Sequence, residues 1–211
     1  MSKRWRIERA KDFYHKKAKQ LGLRSRASFK LMEIIKKFNI LKKGDIVLDL
    51  GAYPGGWLQV ASEVVGKEGL VIGVDLKPIK KLESPNVITI VGDVCDENTH
   101  EEIIKILPRK ADVILSDTSP KLTGVWLTDI ARHFHLVNCI LLLASKTLKQ
   151  GGIAVIKVFQ SNELNELITK LRGMFDKIRL FKPKASKPKS RETYLICKGF
   201  RRNSINNINQ E

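Results

Sequence analysis

Residues 47–57, Val47-Leu-Asp-Leu-Gly-Ala-Tyr-Pro-Gly-Gly-Trp57, constrain the fold more than any other stretch. A short apolar run ends at Asp49, and three glycines follow within six positions. An amphipathic segment, Trp57 to Val65, comes next. That order predicts a buried strand, a tight glycine turn and a helix start. Glycines remove side chains where a ligand must meet backbone, and a helix N-terminus offers free N–H groups. A second apolar run, Leu70 to Val74, ends beside Asp75, placed to accept hydrogen bonds from a ribose.

The glycine spacing limits which nucleoside can bind. Dinucleotide sites use glycines at relative positions one, three and six. Here Gly51, Gly55 and Gly56 stand at one, five and six, and no Lys-Ser/Thr pair follows to make a phosphate loop. Asp49 would repel a phosphate and suits a cationic or amino-bearing ligand. S-adenosylmethionine carries both a sulfonium and an amino group.

Further along, apolar runs alternate with amphipathic ones. Strands are expected at Ile46–Leu50, Leu70–Val74, Val87–Val91, Val113–Ser116 and, after a Gly151-Gly152 turn, Ile153–Phe159. Two more lie near Ile178–Phe181 and Thr193–Lys198. Helices are expected over residues 1–20, from a Ser25 or Ser28 cap to Phe38 (apolar face Phe29, Met32, Ile35, Phe38), and over Trp57–Val65. Others cover Glu101–Leu107, Asp129–Leu148 and Asn162–Met174. This alternation predicts an α/β protein with a mostly parallel sheet covered by helices on both faces. The chain divides into a basic helical extension, 1–40, a central domain, 41–202, and a disordered tail, 203–211. In such a sheet ligands bind outside the carboxyl ends of the strands. Asp49, Asp75, Asp93 and Asp117 fall at the ends of the first four, so Asp75 is assigned to ribose hydroxyls, Asp93 to the adenine amino group and Asp117 to the reactive carbon.

Charge adds a second constraint. Of a net +17, residues 1–30 hold +9 and residues 179–191 hold +6. Two such blocks, the first mixed with Trp5, Phe13 and Tyr14, suit a polyanion whose bases can stack on rings, which points to RNA. No apolar run reaches membrane-spanning length, and Leu136–Ala144 reads as a buried helix. The basic N-terminus lacks the apolar core of a secretory signal. Cys95, Cys139 and Cys197 lie far apart, which favours buried thiols in a reducing compartment over a disulfide framework or zinc ribbon. His15, His100, His133 and His135 make no convincing ligand set, and no metal site is expected.

Lys157 lies inside the apolar strand Ile153-Ala-Val-Ile-Lys-Val-Phe159. An amine stripped of water loses the hydration that stabilises its charged form, which is how a lysine becomes a base. Lys30 can supply a second charge beside it. Glu192 opens the last strand, directly after the second basic block.

These pieces together resemble the FtsJ family of RNA ribose 2′-O-methyltransferases. The matching residues are Ser25-Arg-Ala-Ser-Phe-Lys-Leu31, Asp49 to Trp57, Gly92-Asp93, Ser116-Asp117 with Pro120, Ile156-Lys-Val-Phe159 and Ser190-Arg-Glu-Thr-Tyr194. Tyr53 and Thr118-Ser119 depart from the usual family residues. The resemblance implies a Rossmann-like S-adenosylmethionine-dependent methyltransferase fold with a seven-stranded sheet. It implies a catalytic set at Lys30, Asp117, Lys157 and Glu192, and cofactor contacts at Gly55, Trp57, Asp75, Asp93 and Asp117. The implied reaction methylates a ribose 2′-hydroxyl, in a uridine of large-subunit rRNA within the ribosomal particle. Transfer RNA anticodon loops and mRNA caps are targets of similar proteins. A non-catalytic ribosome-assembly factor and a nicotinamide-dependent dehydrogenase are the contrasting readings. The protein is read as a cytoplasmic monomer with no membrane partner.

Overall fold

The strand residues 46–50, 71–74 and 111–116 are buried throughout because helices cover both of their faces, whereas 87–91, at the sheet edge, leaves Ile88 and Val91 exposed. The structure is a computed structural model that describes residues 13–187 and 190–202. Helix α1 is seen over 13–20. There follow α2 (Ser28–Phe38), β1 (Ile46–Leu50), α3 (Gly56–Val65), β2 (Leu70–Asp75), β3 (Val87–Val91), α4 (Glu97–Ile106) and β4 (Ala111–Ser116). The rest is α5 (Trp126–Thr147), β5 (Leu148–Phe159), α6 (Leu164–Met174), β6 (Phe175–Phe181) and β7 (Glu192–Phe200).

The seven strands form one sheet in the order β3-β2-β1-β4-β5-β7-β6. β1 to β5 pair in parallel, and β7 runs antiparallel to both β5 and β6. The order reverses between β1 and β4, which opens a crevice above their C-terminal ends. Successive strand residues alternate between the two cores. Leu48, Leu50, Ile114, Ile156 and Val158 pack with α5 and α6 residues such as Ile140 and Leu171. Val47, Val113, Leu115 and Val155 pack with Leu31 and Ile34 of α2 and Leu58 of α3. Leu31 and Ile34 are fully buried, each stabilising the fold by about 1.5–3 kcal/mol.

Several local expectations are corrected. Neither Ser25 nor Ser28 caps α2; the cap position is Ala27, and the Ser28 hydroxyl donates to the Gly56 carbonyl at 3.0 Å. The centre of the α2 face in the main core is Leu31 and Ile34, with the expected Met32, Ile35 and Phe38 packed against it, whereas Phe29 turns toward Tyr14, Ala18 and Ala185. α4 begins at Glu97 rather than Glu101, because the Asp96 carboxylate accepts the Asn98 N–H and caps it. β5 begins before the glycine pair: Gly151 (φ 74°) sits inside the strand, where the β4–β5 register shifts. α5 starts three residues early, and at 22 residues it is long and apolar enough to cross a membrane, against expectation. Its packing identifies it as a core helix, with Val137, Ile140, Leu143 and Ala144 fully buried against the sheet. Residues 1–12 and the tail from 203 lie outside the described residues.

The cysteine reading is overturned for two of the three residues. Cys95, after β3, and Cys139, on α5, form a disulfide across 44 positions of sequence. Separation along the chain did not measure separation in space, and the argument for a reducing compartment loses this support. Cys197 alone is a buried free thiol, which burial pushes up to about 12. Closing a loop of this length restricts the unfolded chain, so Cys139→Ser is expected to cost about 4 kcal/mol. Denaturant unfolding of both proteins in non-reducing buffer measures it; equal midpoints would contradict the expectation.

Candidate active site

The turn after β1 is built by contact rather than by flexibility. Gly51 (φ 77°) donates its N–H to Val74 at 2.8 Å, and a Cβ there would stand 2.8 Å from the Thr118 methyl carbon. Only hydrogen fits, so the loops after β1 and β4 close against each other. Beyond them opens a cavity of about 670 Å³ between the ends of β1 to β4. Gly51, Tyr53, Asp75, Asp93, Asp117 and Leu136 are among its walls.

Three of the four strand-end aspartates reach this cavity. Asp75 is fixed by the N–H groups of Tyr53 (3.0 Å) and Lys77 (2.9 Å), which orient its carboxylate. Asp93 accepts from the Cys95 N–H at 2.9 Å. Asp49 does not stand on the wall: it is one residue inside the end of β1 and fully buried. Among the described residues, neither of its oxygens has a hydrogen-bond partner. Burial pushes its carboxyl well above the ordinary value of 3.8, and the charges of Asp117 and Asp75 add to the effect. A buried carboxyl without a donor, ringed by other acids, is a place where an ammonium or sulfonium would be stabilised. The residues therefore fit a cationic, amino-bearing nucleoside.

Gly55 and Trp57 lie off the cavity wall. Gly55 (φ 105°) caps α3, and a Cβ there would be 3.0 Å from the Arg24 guanidinium. Arg24 in turn donates to Pro54 (3.3 Å), Lys80 and Lys81 (2.6 Å), clamping the glycine loop. The indole N–H of buried Trp57 donates to the Ala27 carbonyl at 2.9 Å, and its ring lies 5.8 Å from that of Tyr194. These residues hold α2 and α3 in place behind the cavity.

Lys30, Asp117, Lys157 and Glu192 come together although they arise from four separate segments. α2 carries Lys30, the end of β4 carries Asp117, and β5 and β7 carry the other two. The Lys157 ammonium nitrogen lies 2.7 Å from the Asp117 carbonyl oxygen, 3.3 Å from its carboxylate and 3.9 Å from that of Glu192. Lys30 lies 3.7 Å from Asp117 and 3.8 Å from Glu192. Both lysines are buried, at 7% and 5% exposure. Burial alone would raise Asp117, but the Lys157 and Lys30 charges and the Tyr194 hydroxyl outweigh it and hold the carboxyl below 3.8.

Tyr194, two residues after Glu192 on β7, joins the cluster. It accepts from Lys30 at 3.0 Å and donates to Asp117 at 2.6 Å. Burial, followed by Asp117, pushes its hydroxyl well above 10.0, so it stays protonated. Its position two residues from Glu192 on a strand, hence on the same side, was the available signal. His133 was set aside as a ligand; it is buried and stacks 4.1 Å from Phe159. Burial, then the Lys157 charge, pushes it down to about 4. Cys95, His135 and Cys139 offer donor atoms within 4.8 Å of one another, a grouping the sequence did not suggest. With the disulfide formed, neither sulfur is a thiolate.

The second basic block meets lysines of α2 that lie beyond the first, residues 1–30, which lends the groove only Tyr14 and Phe29. Lys36 and Lys37 of α2 and Lys182 and Lys184 after β6 line one groove of about 720 Å³, with Tyr14, Phe29 and Phe181 among them. Glu33 ties the two sides, accepting from the N–H groups of Lys184 (2.8 Å) and Ala185 (2.9 Å). Lys37 lies 4.4 Å over the Phe181 ring.

Residues 23–200 match the family described as FtsJ-like methyltransferase. A curated relative from Methanocaldococcus jannaschii, named ribosomal RNA large subunit methyltransferase E, is 46% identical across 94% of this chain and 82% of its own. One of the same name from Methanothermobacter thermautotrophicus is 44% identical, covering 95% of each chain. A solved Plasmodium falciparum chain, designated a ribosomal RNA methyltransferase, superposes with a TM-score of 0.76 at 35% identity, over 84% of this chain and 98% of that one. Aeropyrum pernix fibrillarin, solved with bound S-adenosyl-L-methionine, shares the fold alone, at a TM-score of 0.58 and 16% identity over 82% of this chain and 74% of that one. The fold and site thus define a Rossmann-like methyltransferase. The chain belongs to the FtsJ-like methyltransferase family.

Asp49 binds its proton more readily in the folded chain than in the unfolded one. Its contribution to stability is full below about pH 3.8 and is lost as pH rises through the raised folded value. Asp49→Asn removes that loss and is expected to stabilise the ligand-free protein at pH 7 by roughly 1–3 kcal/mol. The same variant should bind S-adenosylmethionine at least about tenfold more weakly, one unit of charge attraction being worth that much in the interior. Thermal unfolding at several pH values and calorimetric titration check both signs.

Proposed function

We propose that this protein transfers a methyl group from S-adenosylmethionine to the 2′-hydroxyl of a uridine in large-subunit rRNA, acting on the ribosomal particle. The observation that carries the reading is the buried Lys157–Asp117–Lys30–Glu192 cluster beside the cavity, with each lysine within 3.9 Å of both carboxylates. The names of relatives 42–46% identical to this chain support rRNA as the substrate. The groove in which Lys36 and Lys37 face Lys182 and Lys184, with aromatic rings between them, supports an RNA partner.

When bound, S-adenosylmethionine supplies a methyl group on a sulfonium, already a good leaving group, so no metal is needed. Asp75 would hold the ribose hydroxyls, Asp93 the adenine amino group, and Asp49 with Asp117 the positive end. Gly55 and Trp57 would act from behind, by fixing the loop.

Lys157 is the general base. A neutral amine has two N–H donors and one lone pair. The Asp117 carbonyl and carboxylate are placed to take both donors, at 2.7 and 3.3 Å, leaving the lone pair for the substrate hydroxyl. The hydroxyl proton would move to Nζ as the oxygen takes the methyl group that the cofactor would supply, its sulfur leaving as the neutral thioether. Asp117, kept ionised by the Lys30 charge and the Tyr194 hydroxyl, then stabilises the Lys157 ammonium. Lys30, held by Tyr194, and Glu192 position the target ribose. Alignment of reacting atoms at about 3 Å supplies much of the acceleration.

Incubation with labelled S-adenosylmethionine and separate rRNA, tRNA and ribosomal subunits tests the substrate; labelling of tRNA alone would overturn the rRNA assignment. Lys157→Ala should lower the rate at least about 100-fold, as expected for loss of a general base, with cofactor affinity retained. Full turnover in that variant would refute the base assignment. If six phosphates are neutralised, RNA affinity should fall about a thousandfold between 50 and 200 mM salt. A flat response would remove the phosphate contacts from the account.

A further inference from the structure

A column of stacked groups stands beside the lysine cluster and takes no part in the chemistry described above. Its buried end is His133, whose ring lies 4.1 Å from Phe159 at 19°. Phe159 stacks on Trp126 at 6.2 Å and 26°. The Arg191 guanidinium lies over the Trp126 ring, 4.2 Å from its centroid. Trp126 is 38% exposed, and its neighbours Leu122, Val125 and Leu127 are more exposed still. The column is anchored to the site through the backbone. Phe159 is two residues beyond Lys157 on β5, roughly 7 Å along the strand, and pairs in register with Glu192. Arg191 directly precedes Glu192.

We infer that Trp126 is the stacking platform for the base of the nucleotide being methylated, and that Arg191 is its displaceable cover. The inference rests on the RNA methyl-transfer reading given above. Large exposed aromatics cost solubility unless something covers them. Here the cover is a cation, and among the described residues its guanidinium makes no ion pair with a carboxylate. A surface cation–π contact is weak, whereas a base on an aromatic face is worth more, so a base can take the guanidinium's place. The freed guanidinium then meets the phosphate that arrives with the base, in the second basic block of the sequence. The platform is held ready, because Asp129 accepts from the Thr123 N–H and hydroxyl, both at 2.7 Å, and from the Gly124 N–H at 3.1 Å. Those bonds fix the loop that leads into Trp126. Stacking is tolerant of base identity, so this contact positions the nucleotide rather than reading it.

The test compares wild type with Trp126→Leu, which keeps apolar bulk without a π-face, Trp126→Phe, which keeps the face, and Arg191→Ala. Steady-state kinetics use the RNA that the wild type methylates, and calorimetry gives the affinity for S-adenosylmethionine. Trp126→Leu should lower kcat/KM for RNA about tenfold, mainly through KM, with cofactor affinity unchanged. Trp126→Phe should recover most of the loss. Arg191→Ala should reduce the salt slope of RNA binding by about one. Unchanged kcat/KM in Trp126→Leu overturns the platform, as does a parallel loss of cofactor binding or failure of Trp126→Phe to recover. Transfer by the wild type to no RNA at all overturns the methyl-transfer reading and the platform with it.

Discussion

One carboxylate, Asp117, is the point on which the site turns. It stands at the end of β4, beside the place where the strand order reverses, and it faces two lysines and a tyrosine hydroxyl. Removing two amines from water is costly, and unpaired they would not be tolerated in a packed core. Asp117 and Glu192 supply the compensating charge, and the Tyr194 hydroxyl satisfies what remains. The arrangement spends folding stability on a fixed geometry of four charged groups.

The sheet makes that geometry possible. Lys157 and Glu192 sit on neighbouring antiparallel strands, and Asp117 follows the parallel partner on the other side of β5. Each is held by ladder hydrogen bonds that extend into a core buried on both faces. Lys30 alone comes from a helix, and α2 is anchored by Leu31 and Ile34, which flank the lysine's turn and are fully buried. Sequence-distant residues thus meet because the elements carrying them have no alternative packing.

Sequence revealed most where one physical signal dominated. β1 and β3 were located to the residue, since apolar runs bounded by Asp, Gly and Asn leave little choice. The lysine cluster was legible through Lys157, whose charge inside an apolar strand demanded a reason, and through the family resemblance. Signals that depend on three-dimensional proximity were not legible. Nothing in the chain pairs Cys95 with Cys139, and the composition of residues 1–30 could not distinguish Arg24, bound internally to Pro54, Lys80 and Lys81, from a cation facing solvent. Trp57 is placed among the cofactor contacts by the family resemblance alone, and the bond of its indole to the Ala27 carbonyl could not be read from the chain. The start of α4 was a misreading of another kind, as Asp96 followed by Glu97 is a cap visible in the sequence.

The bond between Cys95 and Cys139 joins two regions that would otherwise move separately. Cys95 lies two residues past Asp93, and Cys139 sits midway along α5, thirteen positions and about 20 Å from Trp126 at the helix start. The loop bearing Asp93 is therefore riveted to a stiff rod whose far tip carries the exposed indole. Motion at either end is shared by the other, so the Asp93 side of the cleft and its outer aromatic rim behave as one mechanical body.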